Sequence, residues 1–242
     1  MRYAIFSDIH GNLEALEAVL KAARSERIDA YLCAGDIVGY GANPNECIEQ
    51  VRSVNAVTVA GNHDCASVGL FGAQDFNPEA QAAIEWTRQH LSEASRAYLS
   101  SLPLVREMPE LTLVHGSLDE PRDFNYLVNV YGCAATFDLL KTPLCFIGHT
   151  HVPVIFIEDY AGTFHYLDTP DIVLDPRNKY IVNAGSVGQP RDSIVQAAYC
   201  IFDSSSRSIC IRRVKYEVFR ARQKIVEAGL PQFLGDRLLT GN

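Results

Sequence analysis

Five short apolar runs along the chain each stop at a polar residue of a metal-binding type. They cover residues 3–7 before Asp8 and His10, 30–34 before Asp36, 56–59 before Asn62 and His63, 111–114 before His115, and 144–147 before His149 and His151. Runs of this length, bounded by glycine or turn residues, predict buried strands. After the first, Leu13, Leu16, Val19, Leu20 and Ala23 recur at helical spacing behind Asn12, a good N-cap. That predicts an amphipathic helix over 13–25. A strand, a helix and a strand within about thirty residues make a βαβ unit with a right-handed crossover. Open α/β sheets assemble their sites at the C-terminal ends of such strands.

Further along, Pro44 opens a helix through Ser53. Residues 68–77 have no period. Two helices are predicted over 78–91 and 93–101, with Ser92 between them, and one over 131–140. Residues 117–126 carry Asp119, Glu120, Pro121, Arg122 and Asp123 and read as a loop over the site. Beyond His151 the texture changes. Residues 153–158, 163–167, 179–183, 196–202 and 208–215 are strand-like, which predicts an antiparallel or mixed sheet closing the second half. A helix over 218–228 ends at Gly229, and Pro231 starts a short second one. No repeat, low-complexity tract or linker divides the sequence, so residues 1–242 are expected to form a single domain.

Composition narrows the choices. At 242 residues and 48% hydrophobic content the chain can bury a sizeable core. No run approaches the ~18 apolar residues of a membrane span. Asp8 cuts the first apolar run well short of a signal-peptide core. These features place the chain in the cytoplasm. Seven scattered cysteines without a CxxC pair suggest neither a disulfide framework nor a zinc ribbon. Cys65, beside Asp64, reads as a packed thiol. The net charge of −8 argues against duplex nucleic acid as a partner and would repel a phosphate-bearing substrate overall.

That repulsion is reversed locally if cations sit at the strand ends. Of seven histidines, His10, His63, His115, His149 and His151 fall inside those five segments. Asp8 and His10, two positions apart, can point to one face, and His149 and His151 repeat the spacing. A mixed Asp, Asn and His set suits zinc, manganese or iron, whereas a structural zinc site more often uses thiolates.

The five segments read Asp8-x-His10, Gly35-Asp36-x-Val38-Gly39, Gly61-Asn62-His63-Asp64, Val114-His115-Gly116 and Gly148-His149-Thr150-His151. In that order they resemble the calcineurin-like metallophosphoesterases. The resemblance implies an α-β-β-α sandwich of four layers, with two mixed sheets face to face and helices outside. It also implies two divalent ions, manganese, zinc or iron, typically ~3.5–4 Å apart. Asp8, His10 and His151 would hold the first ion, Asn62, His115 and His149 the second, and Asp36 both. A metal-bound hydroxide would attack phosphorus, and His63 would protonate the leaving oxygen. Two ions against the two carboxylates Asp8 and Asp36 would leave the centre at about +2.

The sequence departs from the protein serine/threonine phosphatase branch. That branch has an Asp-Arg pair where this chain has Gly39-Tyr40, and an arginine soon after Gly-Asn-His, where this chain reads Asp64-Cys65-Ala66-Ser67. The carboxylate that orients the acid histidine there is absent, and Asp64 is one candidate to replace it. The stretch 183–191 resembles the small bacterial and archaeal phosphodiesterase branch. In it Arg191 either grips a phosphate or is an ordinary surface residue of a turn. Tyr40, Asn43 and Arg122 are further candidates, Tyr40 as a stacking surface for a base. The implied activity is hydrolysis of small phosphate esters or anhydrides, with a phosphodiester or a dinucleoside polyphosphate as substrate. The alternatives are a phosphomonoesterase and a non-catalytic interaction scaffold of the same fold.

Overall fold

In the computed structural model, which describes residues 1–242 except Ala73 and Asp75, the strands divide into two six-stranded sheets. The first has the order β3-β2-β1-β11-β12-β9. Its strands are β1 (Arg2–Phe6), β2 (Ala30–Cys33), β3 (Val57–Thr58), β9 (Asp171–Val173), β11 (Ala197–Asp203) and β12 (Ser208–Val214). The second has the order β4-β5-β6-β10-β7-β8. It contains β4 (Val105–Glu107), β5 (Thr112–Val114), β6 (Leu144–Ile147), β7 (Val154–Glu158), β8 (Phe164–Leu167) and β10 (Lys179–Asn183). Both sheets are mixed. β1, β2 and β3 run parallel, as do β5, β6 and β10, while β11 and β7 each add an antiparallel partner.

Alternation along the strands sorts the side chains into layers. On β1, Tyr3 and Ile5 join Leu32, Phe146, Val182 and Phe202 in the core between the sheets. Ala4 and Phe6 turn outward, toward Leu16, Val19 and Leu20 of α1 (Leu13–Arg24) and Ile48 and Val51 of α2 (Pro44–Ser53). On the far side, Cys145, Ile147, Phe156 and Ile181 pack against Phe137 of α6 (Ala134–Leu139). The result is the expected four-layer sandwich. Asn12 caps α1, its side-chain oxygen accepting the Ala15 N–H at 3.1 Å.

The second half does not form a sheet of its own. β9, β11 and β12 complete the first sheet, and β7, β8 and β10 the second. β11 pairs with the edge of β1 left open by β2, and β10 with the edge of β6 left open by β5. Three elements were not anticipated: β4, β9 and the short helix α3 (Asn62–Ser67). The remaining helices, α4 (Pro78–His90), α5 (Glu93–Ser101), α7 (Val218–Glu227) and α8 (Gln232–Asp236), lie within a few residues of expectation. Within the unpatterned stretch 68–77, Ala73 and Asp75 lie outside the described residues. Among those described, no helix is long and apolar enough to cross a membrane.

Candidate metal centre

Because β1, β2 and β3 are parallel, as are β5, β6 and β10, each trio ends on one side. The residues just past those ends meet in a buried cluster. Asp8 and His10 follow β1, Asp36 follows β2, Asn62 and His63 open α3 after β3, His115 follows β5, and His149 and His151 follow β6. All eight are buried.

The backbone at these positions is unusual. Asp8, His10, Asp36, His149 and His151 all have φ between 50° and 70°, in the left-handed region. For non-glycine residues that conformation costs roughly 1 kcal/mol or more each, and its clustering marks a functional site. It also revises the reason why Asp8 and His10, or His149 and His151, share a face. Each pair stands beyond its strand, in a left-handed loop, so strand alternation is not the cause.

The side-chain donors fall into groups spaced to hold a metal ion: Asp8, His10 and His151; His10, Asp36 and His63; and Asp36, His115 and His149. In the first group His10 Nε2 is 3.1 Å from His151 Nε2, and His151 Nε2 is 3.3 Å from Asp8 Oδ1. Around His115, its Nε2 is 3.1 Å from His149 Nδ1 and 3.2 Å from Asn62 Oδ1. Asp36 Oδ2 lies 3.3 Å from His115 Nε2 and 3.6 Å from His10 Nε2. Its other oxygen, Oδ1, accepts the His63 backbone N–H at 2.9 Å.

Hydrogen bonds at the far nitrogens test whether these donors fit a cation. His10 Nδ1 donates to Val38 O at 3.1 Å, His115 Nδ1 to Ala34 O at 2.7 Å and His151 Nδ1 to Gln189 O at 2.6 Å. A carbonyl can only accept, so each Nδ1 carries a proton, and each ring, where neutral, turns an Nε2 lone pair inward. Two such lone pairs 3.1 Å apart, between His10 and His151, repel unless something positive lies between or beside them. The same holds for His115 Nε2 among the oxygens of Asn62 and Asp36. Burial also keeps His10 and His151 well below the usual imidazole range, hence neutral. Burial opposes charge on His115 too, but Asp36 outweighs it and holds that ring up to about 9. Burial would raise Asp36 as well, yet the cationic His115 holds it well below the usual carboxylate range. The donor set fits divalent metal.

The stretch 183–191, left open between a phosphate grip and a turn, supports the centre. The Ser186 hydroxyl and Gly188 N–H both donate to the Asp8 carbonyl, at 2.8 and 2.9 Å. Asn183 Nδ2 donates to Gly148 O at 2.6 Å. At its end Arg191 reaches the cleft, where its Nη2 donates to Gln189 Oε1 at 3.0 Å. The cleft, about 390 Å³, is lined by His63, His149, Arg191 and the aromatic rings of Tyr40, Phe76 and Tyr126 among others.

Several weaker candidates resolve differently. Asp64 does not orient His63. Its Oδ1 accepts the N–H groups of Ile37 and Val38 and its Oδ2 that of Gly61, so it ties the β2 loop to the start of α3. His63 is buried, with no partner for Nδ1 among the described residues, and burial pushes its ring down to about 4. Tyr40 is buried, its ring 4.5 Å from those of both His10 and His63, and it lines the cleft. Asn43 bonds Glu46 and Lys224. Arg122 is exposed and outside the cleft lining, where its neighbours Asp123 and Phe124 appear instead. Cys65 is a packed thiol, pushed up to about 12 by burial. The aromatic wall was not anticipated. Phe71, Phe76, Phe124 and Tyr126 come from stretches with no periodic pattern, and only their number near polar motifs hinted at it.

Comparison with known proteins agrees with this geometry. An uncharacterised protein of Methanocaldococcus jannaschii is 42% identical over 243 residues, covering 98% of this chain and 97% of that one. The crystal structure of a metallophosphoesterase from Sphaerobacter thermophilus superposes with a TM-score of 0.88 at 42% identity, covering 100% of this chain and 99% of that one. A hypothetical protein of Pyrococcus horikoshii shares the fold, with a TM-score of 0.81 at 20% identity over 100% of this chain and 98% of that one. Residues 1–207 match the calcineurin-like phosphoesterase superfamily domain. With residues 1–207 matched to that family's model and a metallophosphoesterase 42% identical over its whole length, the chain belongs to the calcineurin-like phosphoesterase superfamily.

Proposed function

We propose that the protein hydrolyses phosphodiesters or phosphoanhydrides of small molecules, nucleotides among them, at a centre of two divalent cations. In this reading Asp8, His10 and His151 hold one cation, Asn62, His115 and His149 the other, and Asp36 both. The observation that carries it is the position of Asp36 Oδ2, 3.6 Å from His10 Nε2 on one side and 3.3 Å from His115 Nε2 on the other. A carboxylate can serve two cations from that position, whereas an imidazole cannot. When bound, the cations supply positive charge for the phosphoryl oxygens and lower the pKa of water to make a nucleophile.

The chain's own residues do the rest. Arg191, at the cleft mouth, presents its guanidinium to a non-bridging phosphate oxygen. His63 faces the leaving-group oxygen, to which it gives a proton once the negative charge of a bound phosphate has raised its ring from the low value that burial imposes. It lines the cleft and is held in place by its backbone bond to Asp36. The rings of Phe71, Phe76 and Phe124 line the cleft. Among the described residues of the cleft lining there is a single arginine, which suits the lower charge of a diester better than a monoester dianion. Residues 1–242 act as one domain in this reading. Seven unpaired cysteines, all free, suit a reducing cytoplasm.

The test is to strip the protein with chelator and reload it separately with manganese, zinc and iron. Rates on bis-p-nitrophenyl phosphate and p-nitrophenyl phosphate are then compared. Metal-dependent turnover, faster on the diester, is the expected result. Faster turnover of the monoester would favour a phosphomonoesterase. No turnover of either with any metal would favour the scaffold.

A further inference from the structure

The four imidazoles assigned to the cations are not held alike. His10, His115 and His151 each donate Nδ1–H to a backbone carbonyl and face the centre through Nε2. His149 is turned the other way. Its Nδ1 faces the centre, 3.1 Å from His115 Nε2, and among the described residues no hydrogen bond reaches its Nε2. What meets the ring instead is Tyr126. The two rings are stacked, with centroids 3.8 Å apart and planes within 16°.

The loop that carries Tyr126 is anchored on both sides. Phe124 is buried in a small cluster with Ala60 and Cys65, and Leu127 in the cluster around Phe137. Tyr126 itself is 56% exposed, so its placement over His149 is not explained by burial of its own ring.

We propose that Tyr126 is a positioning residue for His149. Its ring does for this histidine what a carbonyl does for each of the other three. An imidazole that ligates through one nitrogen, with no partner on the other, is free to turn about its Cβ–Cγ bond. A ring stacked parallel at van der Waals distance blocks that rotation and keeps the Nδ1 lone pair aimed at the cation position shared with His115 and Asn62. The stack uses the aromatic face and not the hydroxyl, so phenylalanine should substitute and an aliphatic side chain should not. Groups that orient a ligand from behind typically alter metal affinity by 10–100-fold. A stack is a weaker restraint than a hydrogen bond, so the low end of that range, about tenfold, is expected. The inference rests on the two-cation reading.

The experiment compares full-length wild type, Tyr126→Phe and Tyr126→Leu. Each metal-free protein is titrated with zinc by calorimetry, and its histidine side chains are followed by NMR. Wild type and Tyr126→Phe should bind two ions alike. Tyr126→Leu should bind the first ion unchanged and the second about tenfold more weakly. In the metal-free state the His149 ring signals should be sharp in wild type and Tyr126→Phe, and averaged in Tyr126→Leu. Equal affinity for both ions in Tyr126→Leu, or an equal loss in Tyr126→Phe, would overturn the proposal. If wild type binds fewer than two ions, the two-cation reading fails. The metal-free spectra still decide the role of Tyr126, because unchanged His149 signals in all three proteins would overturn it.

Discussion

Asp36 uses both carboxyl oxygens, Oδ1 on the His63 backbone N–H and Oδ2 between His10 and His115. Asp36→Asn keeps the size and shape of the side chain but removes the negative charge. Metal content measured by mass spectrometry should fall at both positions while the circular dichroism spectrum stays that of the wild type. His63→Gln should behave in the opposite way. It should keep its metal and lose turnover by about 10²–10⁴-fold, the usual range for a lost general acid. The loss should be greater on esters with poor leaving groups, and an equal loss on p-nitrophenyl and alkyl esters would remove His63 from that role. Arg191→Ala should lower kcat/KM by about tenfold or more, since a hydrogen bond to a charged group is worth about 1.5–3 kcal/mol. The residue types of the donors were readable because each follows an apolar run directly. The partners of their far nitrogens were not, because Val38, Ala34 and Gln189 contribute carbonyls, which every residue has.

The turns that follow the strands are shaped by close approach. A Cβ on Gly61 would collide with the Asp36 carboxylate, and one on Gly148 with Ser7 and Asp8. Gly61→Ala should therefore displace Asp36, lowering metal affinity and folding stability together, measured by calorimetry and urea unfolding. The long elements with clear periodicity, such as α1, α2 and β10, stand within a residue or two of where the pattern puts them. α3 did not announce itself. Its six residues, Asn62–Ser67, are all buried and carry no amphipathic stripe, and Asp64 closes its first turn on the Gly61 N–H. β4 and β9 are three residues each, too short for alternation to register.

Across the whole molecule, two halves of the chain are laced into both sheets, and the centre lies where the sheets' parallel trios end. Which sheet a strand of the second half would join was not readable, because pairing such as β1 with β11 depends on contacts about two hundred residues apart. Phe146 on β6 sits fully buried between the sheets, just before His149. Phe146→Ala should cost about 3–5 kcal/mol, read as a lower urea midpoint. The centre in turn should stabilise the sandwich. A cation at 100 times its dissociation constant adds about 2.7 kcal/mol to the folded state, so chelation should lower Tm and readdition should restore it.

The most direct measurement is an anomalous difference map from crystals of the protein loaded with manganese. The account predicts two peaks, one contacted by Asp8, His10 and His151, the other by Asn62, His115 and His149, with Asp36 Oδ2 bonded to both. A single peak, or two peaks of which Asp36 touches only one, would contradict it.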